Sequence, residues 1–276
     1  MNDGFGARLT AAVDALGPLC VGIDPHGPLL RAWGLADDAD GLARFADACF
    51  DALAGQVALV KPQSAFFERH GSRGIAVLER LLAAFAGTPT LVLLDVKRGD
   101  IGSTMQGYAD AYLAAGAPLA ADAVTLSPYL GFGSLTPALD TAAAAGRGVF
   151  VLARTSNVEG AAVQSAVAEG RSVAQAVVDG AVARNRSVAP LGAVGIVVGA
   201  TADHGMDLAG LNGPVLAPGL GAQGAAPADI AARFRGVDGL VLPSASRSVL
   251  AAGPDVARLR TAARALRDDL AQALSA

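Results

Sequence analysis

The sequence has few of the residues and patterns that define several large classes of protein. Its 276 residues include two cysteines, Cys20 and Cys49. Two cysteines exclude a disulfide framework and indicate a reducing compartment. The three histidines show no paired His/Cys spacing, so we predict no metal site. No apolar run reaches about 18 residues, the length of a membrane span, so no contact with a membrane is predicted.

Charge is also sparse. Charged residues make up 17% of the chain, the net charge is −4, and no basic block occurs. We therefore expect no nucleic-acid partner. The first residues lack the basic-then-apolar pattern of a signal peptide, and we expect a cytoplasmic protein. The hydrophobic fraction of 53% provides for a sizeable core and argues against disorder.

Short apolar runs recur along the whole chain. They cover 19–25, 57–63, 90–97, 123–128, 148–155, 193–201, 214–221 and 239–246. Such continuous runs are typical of strands buried on both faces of a parallel sheet. Between them lie amphipathic segments, for example 40–54, 74–86, 104–116, 161–185 and 254–274. The stretch 26–39 is predicted to be a long first loop.

Strand–helix alternation repeated eight times predicts a (β/α)8 barrel of the α/β class. No low-complexity linker divides the chain, so residues 1–276 are predicted to form a single domain. The alternative is an open doubly wound sheet. The absence of a GxGxxG motif after the first run counts against it.

Polar residues cluster at the predicted carboxyl ends of the strands, where barrels place their active sites. They are Asp24, Lys61, Asp95, Lys97, Ser127, Arg154, Thr201, Gln223, Ser244 and Arg247. This regularity predicts a site at that end of the barrel, and it does not by itself identify the chemistry.

The densest group of charges follows the third run. Asp95 and Lys97 are two residues apart on a strand, so they are expected to point to the same side, and Lys61 can reach the same place. Asp100 begins the turn that follows. Alternating cations and anions would keep each lysine protonated and each aspartate ionised. A buried ion-pair network that only closes the barrel is an equally simple reading of this spacing.

The last two strand–helix loops have the features of a phosphate site. Three glycines surround Gln223 in "PGLGAQG", and Arg247 begins a helix after the eighth run. Barrels commonly bind phosphate with these two loops, and arginine offers a bidentate fork to it. The alternative is a glycine-rich solvent loop beside a surface arginine. The two features in these two positions favour phosphate.

With these motifs in order, the sequence resembles the longer bacterial branch of the orotidine 5′-phosphate decarboxylase family. The most specific element is "LDVKRGDIGST" (94–104), and "GIDP", "VKPQ", "ARTSN", "PGLGAQG" and "SASRSV" occur in the family's order. The resemblance implies a (β/α)8 homodimer with no metal or organic cofactor. It also implies conversion of orotidine 5′-monophosphate to UMP and CO2, the last step of de novo pyrimidine synthesis.

The resemblance also implies roles for the four residues at the centre of the site. Asp24 and Lys61 would hold ribose hydroxyls, and Lys61 would also pair with Asp95. Lys97 would donate the proton to C6 of the pyrimidine.

Further roles concern the rim of the site and a partner subunit. Asp100 and Thr104 would reach across the dimer interface into the partner's site. Ser156 would contact the pyrimidine, and Gln223 and Arg247 would bind the phosphate. The shorter branch of the family has different neighbours at Ser156, and it has an apolar pair in place of Arg98-Gly99.

Two other hypotheses are compatible with a barrel of this kind. Related sugar-phosphate decarboxylases or aldolases share the Asp-x-Lys-x-x-Asp pattern but need a metal and have an acid where Lys61 stands. A lysine there disfavours Mg²⁺, which prefers carboxylates. A non-catalytic nucleotide-binding barrel is the other possibility. In that case Lys97, buried between two acids, would be costly without a use.

Overall fold

The chain folds into a closed barrel of eight parallel strands, which confirms the predicted fold class. The computed structural model describes residues 4–201, 203–221 and 224–275. The barrel strands are β1 (Cys20–Ile23), β2 (Leu59–Pro62), β3 (Leu91–Arg98), β4 (Ala123–Leu126), β5 (Gly148–Arg154), β8 (Val194–Val198), β9 (Val215–Pro218) and β10 (Val241–Ala245).

Each predicted apolar run coincides with one of these strands. Seven of the strands end before their runs do, and β3 extends one residue beyond its run, to Arg98. The run 193–201, for example, contains a strand only from Val194 to Val198. The last residues of the runs leave the hydrogen-bonded ladder and enter the loops at the carboxyl end of the barrel. Side chains at the ends of the runs therefore lie at the carboxyl end of the barrel, where a site was predicted.

Helices follow the strands and surround the barrel. They are α1 (Phe5–Leu16), α2 (Gly27–Ala32), α3 (Ala39–Leu53), α4 (Ala65–Glu68), α5 (Gly71–Phe85), α6 (Gly102–Tyr112), α7 (Thr136–Ala144), α8 (Ala161–Gln164), α9 (Val173–Asn185), α10 (Pro227–Arg233), α11 (Arg247–Leu250) and α12 (Val256–Ser275). Short 3₁₀ turns cover Phe132–Leu135 and Val158–Gly160. Within the described part of the chain, no helix is both long enough and apolar enough to cross a membrane.

Two segments differ from the prediction. The stretch 26–39 is not a continuous loop, because it contains α2. The His26 ring accepts a hydrogen bond from the Leu29 N–H (3.3 Å) at the start of that helix. Pro28 lies in the first turn, where proline is compatible with a helix. A glycine followed by a proline resembles a loop in the sequence, so the start of α2 was not predicted.

The segment 161–185 is not one helix. The short α8 is followed by an antiparallel hairpin of β6 (Val167–Ala168) and β7 (Arg171–Ser172), and α9 begins after it. The turn residues Glu169 and Gly170 have φ of 53° and 78°. Two positive φ angles are typical of tight hairpin turns, which end the helical pattern here.

The core has an inner and an outer layer. Inside the barrel, α1 closes the amino-terminal end with Phe5 and Leu9, and the Phe5 ring meets Phe150 edge-on at 6.1 Å. The outer layer fills the space between strands and helices. Cys20 and Cys49 are free and buried in these layers. Because one end of the barrel is closed by apolar packing, the carboxyl end is left for the site.

Candidate active site

A cavity of about 470 Å³ opens at the carboxyl end of the barrel. The residues that form its floor occupy inward-facing positions of the strands. Lys61, Asp95 and Thr125 each lie two residues beyond a side chain of the inner core, namely Leu59, Leu93 and Ala123. The period of two in a strand places each such pair on the same face. The volume is within the usual range for small-ligand sites.

The side chain of Asp95 is the centre of the site. Its Oδ2 atom accepts hydrogen bonds from Lys61 Nζ (3.0 Å) and Gln63 Nε2 (3.1 Å). Its Oδ1 atom accepts from Lys97 Nζ (2.7 Å) and Thr125 Oγ1 (2.7 Å). Asp95 and Lys61 are both buried. Four donors, two of them cationic, satisfy a carboxylate that would otherwise be very costly to bury.

The surroundings fix the charge states of this pair. Burial by itself raises the pKa of Asp95, but Lys61 and Lys97 outweigh it and hold that pKa well below its usual range. Burial lowers the pKa of Lys61, but Asp95 and Asp24 outweigh it and hold that pKa above its usual value. Asp95 is therefore ionised and Lys61 protonated near neutral pH, as the alternating charges predict.

Lys97 reaches Asp95 from an irregular strand. Leu94 pairs with Val124 and Arg98 with Leu126, so four steps along β3 match two along β4. Lys97 lies in this bulge with φ of 47°, in the left-handed region that non-glycine residues rarely adopt. Its N–H donates to Thr125 Oγ1 (3.0 Å). Bulges are known to redirect side chains next to active sites.

Two further polar atoms lie unpaired at the wall of the cavity. Asp24 Oδ1 and Ser246 Oγ are buried, and neither has a hydrogen-bond partner among the described residues. Arg247 is exposed at the rim beside Ser246. These atoms are free to bind the hydroxyl and anionic groups of a ligand.

The loop after β5 forms the opposite wall with Thr155, Ser156 and Asn157. Gln164 holds this loop from behind. Its Oε1 accepts from the Thr155 N–H (3.0 Å), and its Nε2 donates to Thr155 Oγ1 (2.7 Å). Ser156 itself is exposed. The loop thus presents Ser156 to the cavity on a fixed base.

The structure brings most of the predicted site residues together. The predicted residues that line the cavity are Asp24, Lys61, Asp95, Lys97, Ser156, Ser244 and Arg247. Asp100 and Thr104 do not line it: Asp100 Oδ1 accepts from the Ile101 N–H (2.8 Å), and Thr104 is exposed on the first turn of α6. Ser127, Arg154 and Thr201 also lie outside it. Gln223 falls outside the described residues.

Five polar residues that line the cavity were not predicted as site residues: Gln63, Thr125, Thr155, Asn157 and Ser246. Gln63 follows Lys61 by two positions and could have been found from the strand period. Thr125 is a single hydroxyl inside an apolar run, so it resembles an ordinary strand residue. Ser246 precedes Arg247 in "SASRSV", where serine is also common in a turn.

No group of three or more His, Cys, Asp or Glu side chains that could hold a metal ion occurs among residues 4–201, 203–221 and 224–275. Burial raises the pKa of the Cys20 thiol, which lies close to the site, to about 12. This thiol is therefore not available as a nucleophile near neutral pH.

Comparison with known proteins identifies the family. The profile of the "Orotidine 5′-phosphate decarboxylase / HUMPS family" matches residues 17–262. The chain is 60% identical over 275 residues to an orotidine 5′-phosphate decarboxylase from Salinispora arenicola, and the match covers 99% of each chain. It is 54% identical over 275 residues to the Streptomyces coelicolor enzyme, again over 99% of each.

The chain belongs to the orotidine 5′-phosphate decarboxylase family. A crystal structure of a Streptomyces avermitilis protein assigned to this enzyme class superposes with a TM-score of 0.96 at 54% identity. That match covers 99% of this chain and 97% of the other. The reaction of this family member is the decarboxylation of orotidine 5′-monophosphate, which yields UMP in pyrimidine biosynthesis. The sugar-phosphate enzyme and the non-catalytic barrel are not supported.

The Asp95–Lys61 pair gives a prediction on stability. Asp95→Asn should lower the free energy of unfolding by about 3–5 kcal/mol, because it removes the carboxylate that is paired with the buried Lys61 at 3.0 Å. Asp140→Asn is the control, since Asp140 pairs with Arg184 at 2.6 Å on the surface. An exposed pair of this kind contributes about 1 kcal/mol or less. Urea unfolding at neutral pH measures both variants, and equal losses would contradict the buried pair.

Proposed function

We propose that this decarboxylase needs no metal or organic cofactor, and that Lys97 protonates C6 of the pyrimidine of orotidine 5′-monophosphate. The observation that carries the proposal is the ammonium of Lys97, held 2.7 Å from a buried, ionised Asp95 at the floor of the cavity. A cation fixed beside the reacting carbon stabilises the charge that develops there.

The proposed reaction proceeds in two stages. The C6 carboxylate of the substrate lies beside Asp95, and the two negative groups repel each other. The bond from C6 to the carboxylate breaks, its electron pair stays on C6, and CO2 leaves. The Lys97 ammonium stabilises this carbanion and gives its proton to C6. The Lys97 side chain is 45% exposed in the single chain, so the neutral amine can regain a proton from solvent.

The other cavity residues are proposed to bind the rest of the nucleotide. Asp24, with its unpaired buried oxygen, and Lys61 bind the ribose hydroxyls. Ser156 contacts the pyrimidine. Arg247 binds the phosphate from the rim, together with Gln223. Because the phosphate is remote from the bond that breaks, its binding energy serves to hold the substrate and to desolvate the site.

A homodimer would complete the site with Asp100 and Thr104 from the partner. An apolar surface supports this arrangement: Ile101 is 62% exposed, Tyr129 80% and Leu130 51%. These residues lie on the loops after β3 and β4, which begin side by side because the Ser127 N–H donates to the Arg98 carbonyl (2.8 Å). Exposed apolar patches of this kind indicate an interface.

We also propose a cytoplasmic location. Cys20 and Cys49 are unpaired and fully buried. Free thiols in the core are the usual state of cysteine in a reducing compartment.

The first prediction on function concerns Lys97. Lys97→Ala should nearly abolish turnover while UMP binding and folding persist, because the lysine acts on the developing carbanion. The parent enzyme should be insensitive to EDTA. An absorbance assay with orotidine 5′-monophosphate as the substrate measures the turnover of the variant and the effect of EDTA on the parent enzyme. A variant within about tenfold of the parent rate would show that Lys97 is not the proton donor.

Arg247 separates phosphate binding from nucleoside binding. Arg247→Ala should weaken UMP binding strongly and uridine binding hardly at all, since only the phosphate loses a charge-assisted, bidentate partner. Calorimetric titration of both ligands into parent and variant tests this. Equal losses for the two ligands would place Arg247 away from the phosphate.

The shared site can be tested by subunit exchange. If each site takes Lys97 from one chain and Asp100 from the other, Lys97→Ala and Asp100→Ala dimers should each be nearly inactive. In a hybrid dimer, one site would carry both defects and the other neither. Random exchange makes about half of the dimers hybrid, so about a quarter of all sites should be intact. Activity should therefore return on mixing.

The control for this experiment is proof of exchange by mass spectrometry of differently labelled subunits. If both residues serve the same chain's site, every site keeps one defect. Mixtures that exchange fully and remain as inactive as their parents would rule out the shared site.

A further inference from the structure

Arg98, the residue after Lys97, has no part in the reaction described above. Its side chain lies on the other side of β3 from the cavity, between the strand and the helices. Its Nη2 donates to Glu68 Oε1 (2.6 Å). The guanidinium lies over the rings of Tyr108 and Tyr112, with 5.6 and 6.0 Å to their centroids. A cation stacked on two rings and paired with a carboxylate is strongly fixed in place.

Further hydrogen bonds connect Arg98 and its partner Glu68 to the backbone of β3, the strand that carries Asp95 and Lys97. Glu68 Oε1 also accepts from Ser64 Oγ (2.6 Å), and the Ser64 N–H donates to the Asp95 carbonyl (3.2 Å). Arg98 Nη1 donates to the Val96 carbonyl (3.3 Å). A closed circuit of hydrogen bonds therefore runs from the Asp95 backbone through Ser64, Glu68 and Arg98 to Val96.

Lys97 follows Val96 in the chain, and its backbone conformation is strained. Lys97 has φ of 47°, and such a conformation persists only where the surroundings over-determine it. On the far side, the Ser127 N–H binds the Arg98 carbonyl. A Cβ on Gly99 would come within 2.2 Å of the Ser127 carbonyl oxygen, so only glycine fits this close approach. The Lys97 backbone is thus held before and after the bulge.

We propose that Arg98 is a positioning residue for the reaction: its clamp on Glu68, Tyr108, Tyr112 and the Val96 carbonyl holds the bulge that aims the Lys97 ammonium at the substrate. The proposal rests on the role given to Lys97 under the proposed function. Arg98 does not contact the substrate, so its effect should appear in the chemical step and hardly in binding.

The sequence provides a direct probe of Lys97. Lys61 and Lys97 are the only lysines in the chain. A protein labelled with ¹³C,¹⁵N-lysine therefore gives two lysine side-chain spin systems in an NMR spectrum, and Lys97→Ala assigns them. The probe reports on the position of the ammonium independently of turnover.

Arg98→Met is the principal variant, because it keeps an unbranched stem and removes the charge and the donors. Arg184→Met is the matched control. Arg184 also pairs with one acid at 2.6 Å and has a similar exposed side-chain fraction, 35% against 29% for Arg98, but its partner is Asp140, outside the cavity. Both variants are measured for kcat, KM for orotidine 5′-monophosphate, and lysine spectra.

Arg98→Met is expected to lower kcat roughly ten- to a hundredfold, as a displaced catalytic group does. KM should stay within about threefold of the parent, because the residues that bind the nucleotide are untouched. The Lys97 signals should shift while those of Lys61 change less. Arg184→Met should change neither kcat nor the Lys97 signals.

Two conservative variants decide the matter if Arg98→Met does not fold. Arg98→Lys keeps the cation between the rings but cannot reach Glu68 and the Val96 carbonyl together, so it should restore part of kcat. Glu68→Gln keeps the acceptor oxygen and removes the ion pair, and it should lower kcat in the same direction. If both variants fold with kcat equal to that of the Arg184→Met control, and the Lys97 signals of Glu68→Gln, which adds no lysine, also equal those of the control, the proposal is wrong.

The outcome for Arg98 is distinguishable from the outcome for Lys97. If Lys97→Ala proves active while Arg98→Met still shifts the Lys97 signals, the proton-donor role fails and the clamp on Lys97 stands. If Lys97→Ala is inactive and Arg98→Met leaves both kcat and the Lys97 signals at control values, the proton-donor role stands and the clamp fails.

Discussion

The buried carboxylate of Asp95 is the constraint on which the rest of the site depends. A charge in the interior is tolerated only when it is paired and hydrogen-bonded, and Asp95 receives four donors from three strands and their ends. This requirement fixes where β2 must present Lys61 and where β4 must present Thr125. It also means that a second carboxylate brought beside Asp95 would be unfavourable, so that loss of CO2 in the proposed reaction would relieve the repulsion.

The same constraint explains why β3 is irregular. In a regular strand, successive residues of β3 would pair with successive residues of β4. Here four residues of β3 span the same length of the ladder as two residues of β4. The left-handed Lys97 is an unfavourable conformation for a residue with a side chain. The hydrogen bond that the Lys97 N–H donates to Thr125, and those that the Ser64 and Ser127 N–H groups donate to the segment, must compensate for it. The strained conformation of Lys97 is thus balanced by hydrogen bonds on both sides of the bulge.

Much of the fold could be predicted because parallel strands buried on both faces leave a simple signal, an apolar run of strand length. Helix α2 and the β6–β7 hairpin could not be predicted in the same way. Their signals are local: Pro28 in a first turn, and a Glu169-Gly170 turn inside a helical composition. Composition averaged over a segment of twenty residues conceals a two-residue turn, although that turn decides where α9 begins.

The site shows a similar division, and its cause is physical. Asp95, Lys61 and Lys97 could be predicted because an ionised group at the end of an apolar run is conspicuous. Thr125 could not, because one hydroxyl is as frequent in an ordinary strand as in a site. Its importance lies in register: only the pairing of β3 with β4 brings its Oγ1 between the Lys97 N–H and the Asp95 carboxylate. A sequence pattern predicts the face of the sheet on which a residue lies, but it does not predict which residue of the neighbouring strand lies beside it. The charged residues of this site can therefore be predicted from the sequence. A neutral group such as Thr125, which orients them, can be identified only from the pairing of strands in the folded barrel.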